Sequence, residues 1–120
     1  MTEHTVDLYG LKNCDGCRKA QKALEADGLH VERHDIRDKI NTRRVVEWIA
    51  AQDNWNDFVN RRSTTWRGLS DTQKNQLSLM RAIQLLSEHP TLIKRPVLRI
   101  GPHTLAGYKA DAVAAALANL

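Results

Sequence analysis

Cys14 and Cys17, the two cysteines of the chain, stand three residues apart in Asn13-Cys14-Asp15-Gly16-Cys17-Arg18-Lys19. A pair at this spacing does thiol–disulfide chemistry or supplies half of a tetrahedral metal site. A structural zinc needs four ligands, and no second cysteine pair follows. The histidines His4, His30, His34, His89 and His103 form no close pair at ligand spacing, so no metal is expected. Redox chemistry remains, and it needs a thiolate, whereas a free thiol near pKa 8.5 is mostly protonated at neutral pH.

The elements around the pair decide whether that thiolate forms. The short apolar run Val6-Asp7-Leu8-Tyr9 predicts a buried strand, and Asp15 to Ala26 predicts a helix with a Cys17, Ala20, Leu24 stripe, closed by Gly28. Cys14 then sits at a helix N-terminus, where unpaired N–H groups and the dipole favour an anion by about 0.3–2 kcal/mol, at most roughly 1.5 pKa units. Asp15 opposes this by like-charge repulsion. The balance is expected from Lys12, Arg18 and a guanidinium of Arg62 or Arg95, giving a Cys14 thiol below its free value. Cys17, one turn on, reads either as the resolving or disulfide partner or as a small buried hydrophobe.

Further along, Leu29 to Ile36 alternates as a second strand, so strand, helix and strand make a βαβ unit with parallel strands. Asn41-Thr42 caps a helix carrying Val45, Val46, Ile49 and Ala50, and Trp55 with Phe58 is expected beneath the next turn. Thr72 to Ser87 predicts one helix with Leu77, Met80, Ile83 and Leu86 on its inner side, stopped by Pro90. Pro96 to Ile100 and His103 to Ala106, joined at Gly101-Pro102, predict a hairpin, and Ala110 to Leu120 a closing helix. The fold class is α/β, thioredoxin-like: βαβ, then ββα, around a mixed sheet, with a helical insertion over about 41–90. No repeat or linker divides residues 1–120, which are read as a single domain.

At 120 residues and 42% hydrophobic the chain is long enough for one real core. No apolar run approaches the roughly 20 residues that span a bilayer, and Met1-Thr2-Glu3-His4 lacks a signal peptide's basic start, so a cytoplasmic protein without membrane contact is expected. The 18 basic residues are offset by 14 acidic ones spread along the chain, which argues against direct nucleic-acid binding. Arg61-Arg62, Arg67 and Lys94-Arg95 nonetheless cluster in two segments and are candidates to converge on a site, whereas Trp66 and Tyr108 read as packing residues.

Several separated motifs in order carry a family resemblance. They are Leu8-Tyr9-Gly10, Asn13-Cys14-x-x-Cys17-Arg18-Lys19-Ala20, Asn60 to Arg67, Glu88-His89-Pro90, Ile93-Lys94-Arg95-Pro96 and Ala106-Gly107-Tyr108. Together they resemble the ArsC-like branch of the thioredoxin fold, which includes arsenate reductases, the regulator Spx and YffB-type proteins, and they look most like the YffB type. The resemblance implies that Cys14 is the nucleophilic or redox-active cysteine, that Arg62 and Arg95 bind anions or the thiolate, and that Pro96 is the cis-proline facing the cysteine. It also implies a thiol-dependent reductase with no bound cofactor, glutathione as co-substrate and a thiol or disulfide substrate. A redox-sensing regulator that binds RNA polymerase is the alternative, although the chain ends at Leu120 directly after its last helix. Arsenate reduction is a further alternative, but Gly107-Tyr108 stands where arsenate reductases carry another arginine.

Overall fold

The computed structural model describes residues 4–39 and 41–120; the Met1-Thr2-Glu3 start read above for export features lies outside them. In chain order the elements are β1 (Thr5–Gly10), α1 (Asp15–Ala26), β2 (His30–Asp35), α2 (Ile36–Lys39), α3 (Thr42–Ala50), α4 (Thr64–Arg67), α5 (Asp71–Asn75), α6 (Leu79–Glu88), β3 (Val97–Ile100), β4 (His103–Ala106) and α7 (Ala110–Ala118). Short 3-10 turns cover Trp55–Phe58 and Pro90–Leu92. Among the described residues no helix is long and apolar enough to cross a membrane. The chain divides into two compact units, one of residues up to Asp38 with Arg95–Leu120, the other Lys39–Lys94.

The first unit holds the sheet, in the order β2-β1-β3-β4. β1 and β2 run parallel, as a βαβ crossover requires, and β3 lies antiparallel to both β1 and β4. This mixed sheet with its helices is the expected thioredoxin-like α/β arrangement. Alternation sends Val6 and Leu8 of β1 and Leu98 and Ile100 of β3 into one core with Cys17, Ala20 and Leu24 of α1 and Val113 and Ala116 of α7. The α1 stripe read from the sequence is fully buried: Cys17, Ala20 and Leu24 are at most 1% exposed. Gly28 ends α1 at φ +84, with Gly28 N–H donating to the Glu25 carbonyl and Leu29 N–H to the Leu24 carbonyl. That pair of bonds is a Schellman motif, and its hydrophobic partners Leu24 and Leu29 both join the core. The β3–β4 loop is two residues long, with positive φ at Gly101 and not at Pro102, which fits a type II′ turn.

The second unit is built on α3 and α6. Asn41 caps α3 by accepting the Arg44 N–H, and Val45, Trp48 and Ile49 form its buried face. Trp48 meets Phe58 edge-on, with ring centroids 6.2 Å apart. The helix expected over Thr72 to Ser87 is two helices, α5 and α6, and its inner face differs from the expectation. Ser78 breaks the run: its backbone is extended, and its hydroxyl accepts the Arg81 N–H to start α6 afresh. The restart turns Ala82, Leu85 and Leu86 inward and leaves Met80 81% exposed, while Leu77 falls between the helices. Chain segments 56–60 and 92–94 pair through the Val59–Ile93 bridge, the Asn60 N–H on the Leu92 carbonyl (2.8 Å) and the Lys94 N–H on the Phe58 carbonyl (2.9 Å).

Candidate active site

Cys14 is the N-cap of α1. Its backbone is extended at φ −99, ψ 115, its carbonyl accepts the Arg18 N–H, and its Sγ accepts the Cys17 N–H at 3.4 Å. A thiol normally caps poorly; a thiolate caps as an anion at the positive end of the helix. Asp15 does not oppose this as the sequence suggested. Its carboxylate takes a 2.8 Å ion pair from Arg18 Nη2 in open solvent, so its charge is locally answered. That pairing also commits Arg18 to Asp15 rather than to Cys14.

Partial burial pushes the Cys14 thiol up, but hydrogen bonds from the Cys17 thiol and N–H, together with the charge and hydrogen bond of Arg95, outweigh it and leave the thiol below its ordinary value. Cys17 moves the other way, to about 11. Burial is the main cause, followed by the hydrogen bond it donates to Cys14 and the negative charge there, against opposing effects of the Leu11 backbone and Arg33. Both cysteines are free thiols, Cys17 wholly buried and Cys14 partly exposed. One proton shared between two sulfurs in this way poises the outer one as nucleophile.

Arg95 leads into β3 across a cis peptide bond to Pro96, as the resemblance implied, and the buried Pro96 presents its carbonyl to the Gly107 N–H at 2.8 Å. The first unit thus holds Cys14, Cys17, Arg95 and Pro96. Arg62 belongs to the second unit, where its N–H donates to Asn60 Oδ1 and its carbonyl accepts from Arg67 Nη2. With Arg61 and Lys94 it lines a cavity of about 420 Å³. Trp66 lies half-buried beneath two cations, Arg61 at 5.3 Å and Lys74 at 5.9 Å from its ring centre. Lys12, expected beside the thiol, is not among the groups that act on it and lines a cavity of about 380 Å³ with Gly10, Arg33, His34 and Asp35.

Two residues matter here whose roles were not read from the sequence. Gly10, the last residue of β1, has no room for a side chain, because a Cβ built there would run into Cys17 Sγ. Arg33 occupies a position of β2 whose register partner is Leu8, on the core-facing side. A charged residue at an inward place in an alternating strand is the signal that could have found it. The sheet register also brings Asp7, Glu32 and His34 together with their oxygens and nitrogens within 4.8 Å, a cluster hidden by sequence spacing; His34 Nε2 lies 3.0 Å from Asp7 Oδ1 and its ring stacks on Tyr9.

The ArsC family model matches residues 9–116. The solved structure of a protein called YFFB superposes with a TM-score of 0.83 at 40% identity, covering 93% of this chain and 98% of that one. An uncharacterised protein of Haemophilus influenzae is 37% identical over 94% of this chain and 99% of its own length. The global transcriptional regulator Spx 1 of Lactococcus lactis is 26% identical over 93% of this chain and 88% of its own. A match that begins in β1, runs through the Cys14 cap and the Arg95–Pro96 strand and stops only within the closing helix settles the kinship: the chain belongs to the ArsC family.

Proposed function

We propose that this protein is a cytoplasmic thiol-dependent reductase that uses glutathione as co-substrate, with Cys14 as nucleophile and Cys17 as resolving thiol. The observation that carries the reading is the Cys14 cap, where a helix N-terminus, the Cys17 hydrogen bonds and Arg95 hold the thiol below its ordinary value. Arg95 stabilises the thiolate before attack, and the chain beside the cis Arg95–Pro96 bond is assigned the role of presenting backbone groups to an extended, glutathione-like peptide. Arg62 is assigned an anion-binding role through its place in the Asn60–Arg67 motif. Two cysteines kept as thiols suit a reducing compartment. Arsenate reduction is the weaker use of the same thiol, since Gly107 and Tyr108 supply no further cation.

Incubation with oxidised glutathione, followed by mass spectrometry of the parent and of Cys14→Ser and Cys17→Ser, tests the proposal. The expected result is a glutathione adduct that disappears in Cys14→Ser and accumulates on Cys14 in Cys17→Ser. An adduct rate unchanged by Cys14→Ser would sink it.

The likeness to Spx 1 favours a second reading, a redox-sensing regulator that binds RNA polymerase and is switched by the same two sulfurs. Affinity capture from lysate under oxidising and under reducing conditions separates the two; recovery of no polymerase in either state removes the regulator.

A further inference from the structure

Arg33 holds three parts of the site with one planar group. From β2, its Nη2 donates to the Leu11 carbonyl at 2.9 Å and its Nη1 to Gln21 Oε1 at 2.9 Å. The Leu11 carbonyl also accepts the backbone N–H of Cys14 at 3.3 Å. Gln21 lies four residues beyond Cys17 on α1, so both face the same side of the helix. The guanidinium therefore brackets the edge strand, the loop that carries the nucleophile and the helix that carries the second thiol. A lysine, a point charge with rotatable donors, could not reproduce both arms of this fork.

We propose that Arg33 is a positioning residue for the resolving step, fixing the Leu11–Cys14 loop against α1 one turn beyond Cys17. The inference rests on the reductase reading. In that step the Cys17 sulfur, as thiolate, attacks Cys14 Sγ of a Cys14–glutathione disulfide. The Cys14–Cys17 bond forms, the Cys14–glutathione bond breaks, and the electron pair leaves with the glutathione sulfur, which takes up a proton from solvent. One disulfide has been exchanged for another, with no net oxidation.

Burial works against this attack, because it keeps Cys17 protonated. Of the groups around Cys17, the Cys14 sulfur also opposes its ionisation, whereas Arg33 and the Leu11 backbone favour it. Asp15 is paired with Arg18, Arg95 acts on Cys14, and the Tyr108 ring packs against the same core. Arg33 is thus a charged side chain that favours loss of the Cys17 proton. The residue that sets the loop also sets the second thiol.

The test compares the parent chain with Arg33→Met and Arg33→Lys in two measurements. The first titrates the ultraviolet thiolate absorbance of Cys17 in a Cys14→Ser background, where a higher midpoint is expected for Arg33→Met and a parent-like one for Arg33→Lys. The second follows, by quenched mass spectrometry at pH 8, conversion of the Cys14–glutathione adduct to the Cys14–Cys17 disulfide. Each unit by which the attacking thiol weakens as an acid lowers its thiolate about tenfold and raises thiolate nucleophilicity about threefold, so conversion in Arg33→Met should slow by about threefold for each unit that the Cys17 midpoint rises. Arg33→Lys, which keeps the charge and loses the fork, should also convert more slowly. Adduct formation on Cys14, which the same fork helps to position, should slow less than conversion in both. Equal titration midpoints for parent and Arg33→Met, or equal conversion rates, overturn the inference. If the parent forms no glutathione adduct, the reductase reading fails instead, and the Cys17 titration still decides whether Arg33 acts on that thiol. Should Arg33→Met fail to fold by circular dichroism, the conversion rate of Arg33→Lys decides.

Discussion

Replacing Gly10 by alanine tests whether β1 and α1 meet as closely as the structure shows. The backbone of Gly10 is ordinary extended strand, so alanine brings no conformational strain and, in a strand, removes a glycine penalty of roughly 0.5–1 kcal/mol. Against that, its Cβ would overlap Cys17 Sγ and reach 3.4 Å from both Cys17 Cβ and Leu8 Cδ2, each wholly buried. Overpacking of this kind costs about 1–3 kcal/mol, which outweighs the backbone gain and leaves Gly10→Ala destabilised by about 1–2 kcal/mol. At this chain length that is a fall of several degrees in Tm. The sign should reverse when the sulfur is gone. Cys17→Ala alone is expected to cost about 1 kcal/mol through the small cavity it leaves; adding Gly10→Ala to it should be neutral or stabilising by up to about 1 kcal/mol. The double-mutant cycle, read by urea denaturation under reducing conditions, should therefore show a coupling of about 1–3 kcal/mol. A coupling near zero would refute the contact, and a Gly10→Ala variant more stable than the parent would refute the packing argument altogether.

Other outcomes follow from the same site and its supports. Arg95→Gln should slow alkylation of Cys14 by iodoacetamide at neutral pH and move its pH midpoint upward, with Arg95→Lys falling between it and the parent. The Cys17 thiol, raised to about 11 in the fold from 9.0, contributes stability that is fully present below about pH 9 and lost as pH rises toward 11. Denaturation midpoints of the parent should thus fall between those values more steeply than those of Cys17→Ala. Asp35, drawn down to about 2 by its hydrogen bonds from Arg37, contributes stability present above about pH 4 and lost as pH falls through 2; Asp35→Asn should flatten that part of the acid-unfolding profile. Ser78→Ala removes the cap that restarts α6 and should cost about 1 kcal/mol in chemical denaturation.

The sheet unit was largely legible because its signals are local. The Cys17, Ala20, Leu24 stripe, Gly28 at the end of α1 and the Gly101-Pro102 hairpin are each specified within a few residues, and each forms as read. Between Thr72 and Ser87 the chain is helical on both sides of Ser78, but an apolar count does not register that a serine hydroxyl can end one helical run and cap the next. At the site, helix position made Cys14 the focus, while the electrostatics depended on pairings that sequence distance conceals. Asp15 and Arg18 are only three apart, and their ion pair removes both from the balance around the thiol. Arg33 is 22 residues from Leu11 and reaches it only because β2 lies parallel beside β1.

The hydrogen bond from Cys17 to Cys14 gives the pair an internal clock. Two of the influences that keep Cys17 protonated are that bond and the negative charge it points to, and the charge exists only while Cys14 is a free thiolate. Bonding of another sulfur to Cys14 removes that charge and weakens the bond, leaving burial, the largest influence, opposed by Arg33 and the Leu11 backbone. The second sulfur is held back more firmly before the first has been used than after, so the order of the two attacks follows from one shared proton.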